Sequence, residues 1–212
     1  MTNEEREYYR LTEKVFTKLA PFYDYFVAPA SGVRTRTVNC SGAKPGSKVL
    51  DVATGTGKLA FAFAHGGFDV HGIDISSAML EVAKRKNTYD NLVFENADAT
   101  KLRFENGVFD VCSISFALHD MPEGIRKKVL KEMIRVTKPE GVIMIVDYAL
   151  PESGLLRFLF YHLIKLYEGK YYRNFIHLDV RKMLLESGIE ITEETPVLSG
   201  AGTILKCRKK TS

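Results

Sequence analysis

From Lys48 onward the chain repeats one pattern, a short apolar run, a turn, then a stretch with helical spacing. Apolar runs fall at 48–53, 69–73, 91–95, 108–114 and 141–147, and helical patterns at 57–65, 76–86 and 123–136 lie among them. Strands separated by helix-length connections read as βαβ units, and hence as a parallel sheet. "VCSIS" and "VIMIV" barely alternate, as expected of strands covered by helices on both faces. The pattern predicts an α/β, doubly wound, Rossmann-like domain.

The flanks read differently. Residues 3–40 have helical spacing, with Val15, Phe16, Leu19, Phe22, Tyr23 and Phe26 as an apolar stripe interrupted at Pro21 and Pro29. This predicts a helical N-terminal cap over 1–40, a core over 41–150, a cap or substrate segment over 151–176, and a helix with a strand pair over 177–212. Ser76 or Ser77 can cap the second core helix, and Gly188 can close a helix over 178–187. "GIEITEET" and "GTILKCRKK" read as two strands around a turn.

A length of 212 residues suits one such domain. The net charge of +4 is too mild for a nucleic-acid binder. Cys40, Cys112 and Cys207 lie far apart with no C-x-x-C and no histidine cluster, which argues against a disulfide framework or a metal site. "MTNEEREYYR" lacks the apolar segment of a signal peptide, and no apolar run reaches the ~20 residues of a spanning helix. A cytoplasmic setting is expected.

The most informative stretch is "VLDVATGTGKLA", residues 49–60. A strand, a glycine turn and a helix start together form a pocket for part of a nucleotide, because glycine admits close backbone approach and the helix offers unpaired N–H groups. Gly55-x-Gly57-x-x-Ala60 fits that pattern, and Asp74 ends the next strand where an acid meets ribose hydroxyls in such folds. Taken singly, the glycines could be plain tight turns and Asp74 a helix-capping acid.

Over residues 15–150 the chain resembles the class I S-adenosylmethionine-dependent methyltransferases, and within them the ubiquinone/menaquinone-biosynthesis methyltransferase group. "VLDVATGTGKLA" is similar to the group's D-x-G-x-G-x-G loop, with Ala53 in the first glycine position. "VHGIDISSAML", "ENADATKLRF", "FDVCSISFALHDMPE" and "TKPEG" are similar to its later motifs, in the same order. The resemblance implies a seven-stranded sheet with an antiparallel last strand and S-adenosylmethionine as cofactor. It places Asp51, Ala53, Gly55, Thr56 and Gly57 in the cofactor loop, and Ser115 at the end of the fourth strand. It further puts Asp74 on the ribose, Ile75 and Met79 beside the adenine, and Asp98 and Ala99 facing the adenine amino group. Where the group has Gly-Leu-Arg-Asn, this chain has Ala117-Leu118-His119-Asp120.

Two groups are candidates for a catalytic base. His119 follows the fourth strand, where parallel sheets open their ligand crevice, and is either that base or a surface-loop histidine. Tyr23 matches a Tyr-Asp of the group's N-terminal helices, and is either a catalytic group or an aromatic packed in the cap. The aromatic, basic stretch 155–175 reads either as a packed cap helix or as a hydrophobic chamber for an amphiphile at a membrane surface. The acceptor expected is therefore small or lipid-like. A non-catalytic adenosyl-binding module and an NAD(P) oxidoreductase are the alternatives, the second prompted by Tyr161-x-x-x-Lys165. A P-loop is excluded because Leu59 follows Lys58, leaving no hydroxyl for a magnesium ion.

Overall fold

The computed structural model describes residues 1–26, 31–149 and 171–210. Its core is a seven-stranded sheet of β1 (Lys48–Val52), β2 (Asp69–Asp74), β3 (Leu92–Asn96), β4 (Phe109–Ser115), β5 (Thr137–Tyr148), β6 (Ile189–Val197) and β7 (Gly202–Lys209). The order across the sheet is β3-β2-β1-β4-β5-β7-β6. β1 to β5 pair in parallel, while β7 runs antiparallel to both its neighbours. The mostly parallel doubly wound sheet expected from the sequence is the one observed.

Residues of β5 show why its apolar run is unbroken. Ile143 and Ile145 pack into one core layer with Leu130 and Met133 of α6 (Glu123–Val136). Met144 and Val146 pack into the opposite layer with Phe63 of α4 (Lys58–His65). Successive side chains of a strand point to opposite faces, so both sets must be apolar when both faces are covered. α5 (Ser77–Lys86) is capped by Ser76, whose hydroxyl accepts from the Met79 N–H at 3.4 Å. β5 starts earlier than expected: "TKPEG" belongs to the strand, joined to β4 through a register shift between Phe109 and Val111.

The cap comprises α1 (Asn3–Leu19), α2 (Tyr23–Phe26) and α3 (Ser31–Ser41). Thr2 and Glu5 form a reciprocal capping box at the start of α1. The apolar stripe does not enter the sheet core: Val15 and Phe22 are 43% and 60% exposed. Val15, Phe16, Leu19 and Tyr23 instead line a cavity beside the sheet. After the 150–170 segment, which lies outside the described residues along with most of the expected aromatic chamber, come α7 (Tyr172–Ile176) and α8 (Val180–Glu186). Gly188 follows α8 with φ +87°. No described helix is long and apolar enough to cross a membrane.

Candidate functional site

The strand order reverses between β1 and β4, and at that point the carboxyl ends of the strands open a cavity of about 1080 Å³. Open parallel sheets hold ligands at this switch point. Every site residue singled out in the sequence lines the cavity except Gly57.

One half of the cavity is a row of carboxylates. Asp51 sits at 2% exposure on β1, where its Oδ2 accepts from the Thr54 hydroxyl at 2.6 Å and its Oδ1 from the Ser113 hydroxyl at 2.8 Å. Burial pushes its carboxyl up to about 6, and the nearby Asp74 charge adds to the rise. Asp74 ends β2; its Oδ2 accepts from the Gly55 N–H and its Oδ1 from the Ser76 N–H, both at 2.8 Å. Burial raises Asp74 too, and those backbone donors oppose the rise. Asp98 accepts from the Tyr9 hydroxyl at 3.0 Å and from the Thr100 N–H at 2.8 Å, so helix α1 reaches into this half.

The turn after β1 is built from left-handed backbone. Ala53, Gly55 and Gly57 have φ of +52°, +55° and +81°. A Cβ on Gly55 would stand 3.3 Å from Met79 Cε on the cavity wall. A Cβ on Gly57 would instead stand 2.6 Å from Phe94 Cζ. Packing on Phe94 is therefore a second demand on Gly57, beside its expected place in the cofactor loop. Thr56 lines the cavity, but its hydroxyl donates to Asp24 Oδ1 of α2 at 2.6 Å. Asp24 also pairs with Lys58, at 3.0 Å, and with Lys86.

The other half is aromatic. His119 lies on a 3₁₀ turn, Leu118–Asp120, and is 2% exposed, which corrects the surface-loop alternative. Its Nδ1 stands 2.6 Å from Asp147 Oδ1, and its backbone N–H donates to Asp147 Oδ2 at 3.2 Å. The Tyr148 N–H also donates to Asp147 Oδ1, at 2.8 Å. A carboxylate that gathers donors in this way is the acceptor for Nδ1–H. Nε2 lies 3.8 Å from Asp120 Oδ2. The rings of Tyr148, Tyr172 and Phe175 pack edge-on around the imidazole at 4.7, 6.1 and 6.3 Å. Phe116, with φ +50°, turns the chain from β4 toward Tyr148, 5.2 Å between ring centres. Tyr23 lines the same cavity and packs on Phe16 at 6.2 Å.

Several of these partners were invisible in the sequence. The pairing of Asp51 with Ser113, and of His119 with Asp147, spans 62 and 28 residues, and no local spacing encodes it. Arg126 is different. With Val129, Leu130 and Met133 it falls at i, i+3, i+4 and i+7, the buried face of α6.

A sheet reversed at its switch point, with three aspartates from the ends of β1, β2 and the turn after β3 on one cavity, defines an α/β domain for a nucleoside-type cofactor. More narrowly, the chain belongs to the ubiE/COQ5 methyltransferase family, whose model matches residues 2–168. It is 40% identical over 148 residues to the demethylmenaquinone methyltransferase of Renibacterium salmoninarum, a match covering 68% of this chain and 61% of that one. It is 39% identical over 158 residues to the ubiquinone/menaquinone biosynthesis C-methyltransferase UbiE of Bdellovibrio bacteriovorus, covering 69% and 66%. The chain thus spans somewhat under two thirds of the length of these relatives. Among solved structures, an S-adenosylmethionine-dependent methyltransferase from Aquifex aeolicus shares the fold with a TM-score of 0.66 and 21% identity, over 82% of this chain and 88% of that one.

Proposed function

We propose that the chain methylates a lipophilic acceptor of the quinol kind with S-adenosylmethionine as donor. The observation that carries this reading is a single cavity with carboxylates along one half and a buried His119–Asp147 pair among aromatic rings in the other. The donor fits the first half chemically. Asp51 is a buried carboxylate held by two hydroxyls, a setting that an ammonium group would neutralise. Asp74, fixed by two backbone N–H groups, retains lone pairs for ribose hydroxyls. Ala53, Gly55 and Thr56 form the loop beneath the donor, Ile75, Met79, Asp98 and Ala99 its adenine wall, and Ser115 the floor between the two halves.

When bound, S-adenosylmethionine supplies an electrophilic methyl group on a sulfonium. The protein's part is alignment, exclusion of water and proton transfer at the acceptor. A quinol hydroxyl is protonated near neutral pH, and its ring carbon becomes strongly nucleophilic when that proton leaves. His119 Nε2 accepts the hydroxyl proton as the ring carbon takes the methyl and S-adenosylhomocysteine leaves. Asp147 holds the ring by Nδ1 and stabilises the imidazolium, which returns the proton to the oxygen as the ring carbon sheds its own hydrogen to solvent and aromaticity is restored. Tyr23 and Tyr148 flank the acceptor in the cavity wall. The names of the relatives support a quinone-type acceptor, as does the apolar lining around Phe116, Met121 and Ile125. Contact with a membrane surface, where such acceptors reside, belongs to the same proposal.

The test is incubation with methyl-labelled S-adenosylmethionine and a reduced demethylmenaquinone, beside a total lipid extract and a panel of small phenols and amines. Label on the quinol ring carbon is expected. Label only on a small soluble amine would overturn the acceptor, and donor binding without transfer to any of them would make the chain a non-catalytic adenosyl-binding module.

A further inference from the structure

Helix α6 turns a guanidinium into the core. Arg126 is 5% exposed, and its side chain spends its donors on neutral groups. Nε donates to the Leu118 carbonyl at 3.1 Å, Nη2 to the Met121 carbonyl at 2.7 Å, and Nη1 lies 3.9 Å from Met183 Sδ. The guanidinium carbon stands 5.0 Å from the Phe175 ring centre. Burying a cation against carbonyls and a ring, with no carboxylate in ion-pair contact among the described residues, is costly. The cost falls at one particular place: Leu118 and Met121 bracket His119 and Asp120, and Phe175 is one of the rings around the imidazole.

We propose that Arg126 is a positioning residue for the His119 base. Its planar fork ties both ends of the 118–121 turn to α6, so the imidazole keeps Nδ1 on Asp147 while Nε2 stays directed to the acceptor. Lysine, with a single ammonium, cannot span both carbonyls with the same geometry. The inference rests on the reading of His119 as the base. Among the described residues, the charged and titratable groups around the imidazole include Asp147 on β5, Asp120 on the turn itself, Arg126 on α6, Tyr148 at the end of β5 and Tyr172 on α7, with Tyr8 of α1 facing Asp120.

The experiment is a mutant cycle in the full chain with Arg126→Gln, Arg126→Lys, His119→Ala and the Arg126→Gln/His119→Ala double variant. 1,4-Dihydroxynaphthalene serves as acceptor, calorimetry with S-adenosylhomocysteine checks the cofactor half, and ¹⁵N-imidazole spectra report the His119 tautomer. Arg126→Gln is expected to lower kcat roughly 10- to 100-fold, the scale of a misplaced catalytic group, and leave S-adenosylhomocysteine affinity within about twofold. The His119 spectrum should lose its single Nδ1–H form, and the double variant should be no slower than His119→Ala alone. Multiplied losses in the double variant, or a normal His119 tautomer in Arg126→Gln, overturn the positioning role while leaving the base intact. A His119→Ala loss below about threefold overturns the base reading itself. If Arg126→Gln no longer binds S-adenosylhomocysteine, Arg126→Lys decides by the same spectra, which need no turnover; an unchanged tautomer there overturns the proposal.

Discussion

Asp51 joins the two halves of its own titration: protein stability and ligand affinity respond to it in opposite directions. Its carboxyl is raised from 3.8 to about 6, so between those values the folded chain holds a proton that the unfolded chain releases. The group's contribution to stability is complete below about pH 4 and is lost as pH rises through 6. A cofactor ammonium favours the ionised form. Affinity for S-adenosylhomocysteine should therefore strengthen as pH rises from 5 to 7, by at most about tenfold per unit, and flatten above. Calorimetry across that range checks this, and Asp51→Asn should abolish the slope. The glycines offer a second contrast. Gly55→Val, on the cavity wall beside Met79, should abolish cofactor binding and leave a folded protein, whereas Gly57→Val should drive a side chain into Phe94 and lower the melting temperature first. Ala53→Gly should be neutral or stabilising, because a non-glycine residue in left-handed backbone costs roughly 1–2 kcal/mol. Thermal melts with and without cofactor separate the three.

At the scale of elements, the N-terminal helices are fastened to the cofactor half by polar contacts. Tyr9 donates to Asp98, and Asp24 gathers Thr56, Lys58 and Lys86, while Glu5 pairs with Lys128 of α6 at 2.7 Å on the other side. Val15, Phe16 and Leu19 of α1 meet the cavity, while Tyr8 and Tyr9 of α1 and Val33 of α3 pack on the sheet core. The second half of α1 and α2 are therefore held by less apolar burial than the core helices. We predict that amides of α1 and α2 exchange fast in the free protein and slow when cofactor and acceptor are present. Asp24→Ala should remove much of that slowing in α2. Amides in the cap as protected as those of β4 from the outset would mark it as fixed core. The core elements were legible in the sequence because burial on both faces writes itself as apolar runs, and Ser76 and Gly188 punctuate the helices. The cap was legible as helix, with Tyr23 as its one expected site residue, but which of its apolar residues face the cavity was not. An apolar stripe has the same spacing whether it faces a sheet or a ligand. Of the site, the loop and Asp74 were legible because backbone shape demands particular residues at fixed offsets. The His119–Asp147–Arg126 cluster was not, because folding alone brings a turn, a strand end and a helix face together.

The whole molecule divides its work across the switch point. β1, β2 and the turn after β3 present the carboxylates, whereas β5 and the turn after β4 present the imidazole and its partner. β5 is held on its far edge by β7, with Asp147 opposite Thr203 in the register, and β6 reaches the sheet only through β7. That arrangement has a consequence in time. β6 is made before β7 yet can join the sheet only once β7 lies beside β5, so docking of these two strands is expected as the closing step of assembly. The cofactor half depends on strands whose neighbours are all made earlier. In refolding from denaturant, binding of a fluorescent S-adenosylhomocysteine analogue is therefore expected to return ahead of methyl transfer, with a lag set by the docking of the β6–β7 pair. Simultaneous recovery would mean that the sheet closes as one unit. On the expected course, there is an interval in which the young protein holds its donor and cannot yet use it.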